Sequence, residues 1–118
     1  MQKFVIRRKT PRLLELFSGT GSIGRAFAAL GWDVVSVDLA PRANATYCCD
    51  VSTWDHTGVG DVDVIWASPP CTFYSRARSR GTRSDLETSD DLVLRTLEIV
   101  AALGNPPLFL ENPHSGQL

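Results

Sequence analysis

A chain of 118 residues, 43% apolar and 21% charged, has the balance of one soluble globular domain, large enough for a core but small for an enzyme with a separate recognition module. A formal net charge of −1 excludes an evenly basic nucleic-acid binder, and no apolar run reaches the ~18 residues that a membrane-spanning helix needs. Three cysteines, two of them adjacent, exclude a disulfide framework, and the two histidines, His56 and His114, stand too far apart to suggest zinc.

The amino-terminal Phe4-Val5-Ile6 is too short for a signal-peptide core, so an intracellular location is expected. A first strand is predicted over 12–16, ending in Leu14-Glu15-Leu16-Phe17-Ser18-Gly19-Thr20-Gly21. A helix follows over 22–30, with Ile23, Ala26, Phe27 and Leu30 at i, i+3, i+4, i+7 spacing and Gly31 as the residue that ends it. The second strand is Val34-Val35-Ser36-Val37, closed by Asp38 and a turn at Pro41. A short third strand is placed around Thr46-Tyr47-Cys48, where Cys48 and Cys49 read as small buried hydrophobes.

The fourth strand, 62–67, is apolar enough for a buried parallel position and runs into Pro69-Pro70. The longest helix is predicted from Asp85 or Asp90 to Leu103. Ser84-Asp85-Leu86-Glu87 offers a capping box, and Val93, Leu97, Val100 and Leu103 offer an apolar stripe. Gly104 and Pro106-Pro107 separate it from a fifth strand, Leu108-Phe109-Leu110, which would be an exposed sheet edge unless something covers it.

This alternation predicts an α/β domain with a mainly parallel sheet and helices on both faces. Every chemically suggestive residue then falls at the carboxyl end of a strand, where open α/β sheets bind ligands. Gly19-Thr20-Gly21-Ser22-Ile23-Gly24 has dinucleotide-fingerprint spacing, and Asp38 ends the next strand. Glycines admit close backbone approach, a helix amino terminus favours an anion, and the acid suits ribose hydroxyls. Nicotinamide cofactors and S-adenosylmethionine both carry an adenosine, so this element fits either.

In Ser68-Pro69-Pro70-Cys71-Thr72-Phe73-Tyr74-Ser75 the prolines fix the backbone ahead of a thiol that can act as a nucleophile. Glu111-Asn112-Pro113 supplies a carboxylate at the end of the fifth strand. Arg76, Arg78, Arg80 and Arg83 crowd into eight positions, either to grip phosphates or as a solvated basic loop.

These segments together resemble the DNA (cytosine-5) methyltransferase family. Phe17-x-Gly19-x-Gly21 is similar to its first motif, Asp38 to its ribose-binding acid, and Asp50-Val51 to the motif whose carboxylate accepts from the adenine amino group. Pro70-Cys71-Thr72-Phe73-Tyr74-Ser75 is similar to its nucleophile loop, with Thr72 where glutamine is frequent. Glu111-Asn112-Pro113 is similar to its Glu-Asn-Val element, with proline in place of valine.

The resemblance implies a Rossmann-like methyltransferase fold and S-adenosylmethionine as cofactor. It implies cofactor contacts from Phe17, Ser18, Gly19, Thr20, Gly21, Asp38, Leu39, Asp50, Val51 and Pro70. Cys71 would be the nucleophile towards cytosine C6 and Glu111 the acid at N3. Ser75, Arg76, Arg78, Arg80 and Arg83 would meet DNA, with RNA as the lesser alternative.

Residues 1–11 read as an extension and 12–118 as the amino-terminal part of a catalytic domain. The Gln-x-Arg-x-Arg motif, the target-recognition domain and the closing strands of the family are missing from it. The fold is therefore expected to be incomplete on its carboxyl-terminal side, as a truncated or split enzyme completed by a second chain. An inactive cofactor-binding remnant, an amino-group methyltransferase and a nicotinamide oxidoreductase are the alternatives.

Overall fold

Strand β1 (Arg12–Leu16) sets the architecture, because its successive side chains enter two different layers. The computed structural model describes residues 10–70 and 83–111, with backbone only for 83–89. Within these, β1 pairs in parallel with β2 (Asp33–Asp38) on one side and β4 (Val64–Ala67) on the other. Outside them lie β3 (Tyr47–Cys48), beside β2, and β5 (Leu108–Leu110), beside β4. The order is β3-β2-β1-β4-β5, so the chain reverses its direction of growth between β1 and β4. The carboxyl ends of those two strands flank the crevice in which such sheets hold ligands.

One face carries Leu14 and Leu16 of β1, Val37 of β2, and Ile65 and Ala67 of β4, all fully buried. They pack with Val51, Trp54, Val59 and Ile99, the last from helix α2 (Arg83–Ala102). Of the predicted stripe on α2, Val100 and Leu103 pack against this core and Val93 is half-buried, but Leu97 is 46% exposed, and Thr96 and Ile99 are the fully buried positions. The buried threonine is accommodated because its Oγ1 donates to the Leu92 carbonyl one turn back, at 2.9 Å. The helix also begins at Arg83, so Ser84 lies inside it and not at its cap.

The other face carries Leu13 and Glu15 and meets helix α1 (Ser22–Ala29). Of the predicted face of α1, Ala26 and Leu30 are exposed; the buried contact is Gly24. A Cβ at Gly24 would come within 2.6 Å of Glu15 Oε1 and 3.1 Å of Val34 Cγ1, so glycine is what lets the helix lie on the sheet. The end of α1 matches its prediction. Gly31 has φ +91°, its N–H donates to the Ala28 carbonyl, and the Trp32 N–H donates to the Phe27 carbonyl. The Phe27 and Trp32 rings then meet edge to face at 5.0 Å, a Schellman closure with its apolar contact.

The amino-terminal ends of the strands are tied by Arg12. Its Nε pairs with Asp33 at 2.7 Å, its Nη1 donates to the Val59 carbonyl, and its backbone N–H donates to Asp63 at 2.7 Å. β5 lies at the sheet edge with Phe109 and Leu110 exposed, as expected for that strand. Cys48 is exposed, against its reading as a small buried hydrophobe, whereas Cys49 is half-buried and packs against the core. The exposure of Cys48 arises because β3 is a two-residue edge strand with exposed side chains. Burial, with Cys48 and Asp50 alongside, pushes the Cys49 thiol up.

Candidate active site

The turn after β1 is built on a strained residue. Phe17 has φ +59°, a left-handed conformation that costs a side-chain-bearing residue roughly 1–2 kcal/mol. Two bonds to one acceptor hold it there: the N–H groups of Phe17 and Ser18 both donate to the Val37 carbonyl, at 2.8 and 3.3 Å. Gly19 and Gly21 follow at φ +54° and +79°, with the Gly21 N–H on the Ser18 carbonyl at 2.8 Å. No side chain caps α1, so its amino terminus stays open towards the turn.

Asp38 closes the other side. Its Oδ2 accepts from the Gly19 N–H at 2.7 Å and its Oδ1 from the Ala40 N–H at 2.8 Å, fixing the carboxylate at the rim of the turn. A carboxylate has about four lone-pair directions, so two remain for a diol. Asp50 caps its own turn, Oδ1 accepting from the Ser52 N–H at 2.9 Å. Glu111 follows β5 with its N–H on the Ala67 carbonyl at 2.9 Å, and its Oε1 accepts from Ser68 Oγ at 3.4 Å.

All of these open on one cavity of about 850 Å³. Of the sequence-predicted contacts, Phe17, Ser18, Gly19, Thr20, Asp38, Leu39, Asp50, Val51 and Pro70 line it, and so does Glu111. Gly21 does not; it acts through its left-handed φ, which turns the chain into α1. Cys71, Ser75, Arg76, Arg78 and Arg80 lie outside the described residues. Arg83 is described by its backbone alone, as the first residue of α2.

Sequence reasoning missed several lining residues, chiefly Glu15, Ser68, Asp91 and Leu92. Glu15 did leave a signal, as a carboxylate inside the apolar run Leu13-Leu14-Glu15-Leu16. Asp91 and Leu92 left none, since only the docking of α2 brings them to the cavity. Glu15 is 4% exposed. Burial pushes its carboxyl up and Asp38 adds to this, while the Gly24 N–H and Arg25 pull it back.

A raised acid favours the protonated form in the folded chain, so Glu15 should cost stability progressively as pH rises from the unfolded value of 4.5 through the folded one. Glu15→Gln keeps an acceptor for Gly24 and should stabilise the ligand-free chain at neutral pH. That gain should vanish near pH 4, on the order of the unfolded carboxyl pKa, in thermal melts run across pH. A melting difference that does not change with pH would contradict this.

The described lining contains the carboxylates of Glu15, Asp38, Asp50, Asp91 and Glu111 and no Lys, Arg or His. Such a cavity repels a pyrophosphate and attracts a cation. Among the described residues, the Ser18 Oγ is buried without a hydrogen-bond partner.

Comparison with known proteins gives the family and the fold. The chain is 38% identical over 122 residues to a probable DNA (cytosine-5)-methyltransferase of Frog virus 3 (isolate Goorha), covering 91% of this chain and 56% of that protein. It thus spans little more than half the length of that curated relative. A solved sugar N-methyltransferase from Streptoalloteichus superposes with a TM-score of 0.56 at 17% identity, over 91% of this chain and 42% of the other. That likeness gives the fold, a Rossmann-like methyltransferase sheet. The family model for C-5 cytosine-specific DNA methylase matches residues 11–115, and the chain belongs to that family.

Proposed function

We propose that the chain binds S-adenosylmethionine in the cavity at the ends of β1 and β2 and forms the catalytic half of a cytosine-5 methyltransferase acting on DNA. The observation that carries this reading is that Asp38 and Glu111, acids expected to serve cofactor and base respectively, open on the same cavity. The residues present fit the cofactor. Asp38 suits the ribose hydroxyls and Asp50 an adenine amino group. Among the described residues the charged groups of the lining are all carboxylates, which favours a sulfonium and an ammonium over the pyrophosphate of a nicotinamide dinucleotide.

When bound, S-adenosylmethionine supplies an electrophilic methyl group. The chain's own residues prepare the base for it. The Cys71 thiolate adds to C6 of cytosine, breaking the C5–C6 π bond and placing the electron pair on C5, while Glu111 holds a proton at N3. After substitution at C5, the C5 proton passes to solvent water, its electron pair re-forms the C5–C6 double bond, and the S–C6 bond breaks to release the thiolate. The base must leave the duplex stack for this, and Arg76, Arg78, Arg80 and Arg83 are assigned to the flanking phosphates. RNA is the less favoured substrate. Because the viral relative is nearly twice as long as the matched part, turnover is proposed for this chain together with a further polypeptide segment, in the same or a second chain.

Calorimetric titration of the folded chain tests the cofactor reading. S-adenosylhomocysteine is expected to bind in the micromolar range and NAD to give no binding heat. Binding of NAD with silence towards S-adenosylhomocysteine would transfer the chain to the oxidoreductase reading.

A further inference from the structure

Two walls of the cavity come from segments far apart in sequence. The turn after β3 contributes Asp50, Val51 and Ser52, and α2 contributes Asp91 and Leu92. Arg95 joins them. Its Nε donates to the Val51 carbonyl at 3.2 Å and its Nη2 to the Trp54 carbonyl at 2.7 Å. These two nitrogens form the side edge of the guanidinium, whose N–H bonds run nearly parallel and match two acceptors at once.

The two acceptors belong to one tight turn. Inside it the Thr53 N–H donates to the Asp50 carbonyl at 3.0 Å and the Trp54 N–H to the Val51 carbonyl at 3.3 Å. The side chains of Val51 and Trp54 are buried against the core that includes Ile99 of α2. The turn is therefore pinned by apolar packing and by Arg95. On α2, Arg95 lies three and four positions beyond Leu92 and Asp91, the helical spacing that brings residues onto one face. The remaining contact of Arg95, to Glu98 Oε1 at 3.3 Å, is to a mostly exposed carboxylate and contributes little.

We propose that Arg95 is a positioning residue of the cofactor site: it holds the Asp50–Trp54 turn against α2 and thereby fixes the wall that recognises the purine. The proposal rests on the S-adenosylmethionine reading for the identity of the ligand. Arg95 itself touches no ligand; it acts through the carbonyls of Val51 and Trp54. Without it, these carbonyls lose a charged donor, and the turn carrying Asp50 gains freedom that ligand binding must remove.

The test compares the full chain with Arg95→Met and Arg95→Lys. Two probes are titrated, S-adenosylhomocysteine and S-inosylhomocysteine, in which a carbonyl replaces the adenine amino group. Amide hydrogen exchange is followed in the same samples. Arg95→Met is expected to lower affinity for S-adenosylhomocysteine about tenfold, the effect of losing one charged hydrogen bond. It should also reduce the preference for adenine over hypoxanthine, and speed exchange at Thr53 and Trp54 while β1 and β4 keep their protection. Arg95→Lys, with one point donor for two acceptors, should fall between Arg95→Met and the unaltered chain.

Unchanged affinity and unchanged purine preference in both variants would overturn the proposal. So would exchange that quickens evenly along the chain, which marks general destabilisation. An unaltered chain that binds neither probe would sink the cofactor reading and with it the positioning role, while faster exchange confined to the turn would show that Arg95 still braces it.

Discussion

Asp38→Ala is expected to lower the affinity for S-adenosylhomocysteine by more than about a hundredfold while leaving the sheet folded. The carboxylate fixes the Gly19 and Ala40 N–H groups, at 2.7 and 2.8 Å, and retains lone pairs for a ribose diol. Two hydrogen bonds to a charged acceptor, at roughly 1.5–3 kcal/mol each, account for that factor. The core is spared, because Asp38 is the last residue of β2 and its side chain stands at the rim of the cavity. Asp38→Asn keeps one acceptor oxygen and should lose only about tenfold. Calorimetry, with circular dichroism to confirm folding, measures both; an alanine variant that binds as tightly as the parent would remove Asp38 from the site.

The second large effect concerns the thiol. In the active assembly, Cys71→Ser is expected to reduce methyl transfer by at least about a thousandfold, because the hydroxyl is a far weaker nucleophile towards C6 than a thiolate. Affinity for S-adenosylhomocysteine should stay within about twofold, since ligand binding falls to the residues that line the cavity. Glu111→Gln should also depress turnover, by about a hundredfold or more, because an amide cannot pass a proton to N3. Transfer of a labelled methyl group to duplex DNA measures these losses. Full turnover by Cys71→Ser would eliminate the covalent route, whereas loss of cofactor binding in that variant would mean that the thiol is structural.

The sequence by itself determined the elements and the strand-end positions of the site. β1, β2, β4 and β5 are short leucine-rich or β-branched runs, and β4 and β5 are stopped at once by Ser68 and Glu111, so local chemistry announces their type and much of their extent. β1 and β5 were read with the bounds they have, and Gly31 was read as the closing residue of α1. Asp50 was singled out by the family resemblance, whereas the glycine turn, Asp38 and Glu111 were legible because parallel α/β topology sends the carboxyl ends of all strands to one side, whatever their order. That rule alone gathers residues separated by 96 positions, from Glu15 to Glu111, into one cavity.

What needed the tertiary structure was how each helix is rotated and what it carries to the site. The periodicity on α2 put Leu97 inward with Val100 and Leu103; the last two do pack on the core, but Thr96, its hydroxyl satisfied by the Leu92 carbonyl, is buried where Leu97 was expected. The docking of α2 brings Asp91 and Leu92 to the cavity and Arg95 to the Asp50–Trp54 turn. On α1, the third glycine read as part of a phosphate-type fingerprint. Its contact with Glu15 shows a packing role, since a side chain there would strike the carboxylate. Spacing along a strand or helix is a one-dimensional signal and fixes which residues share a face. Which face is buried, and which distant carbonyl an arginine reaches, depends on the volume of what packs opposite, and only the assembled sheet supplies that.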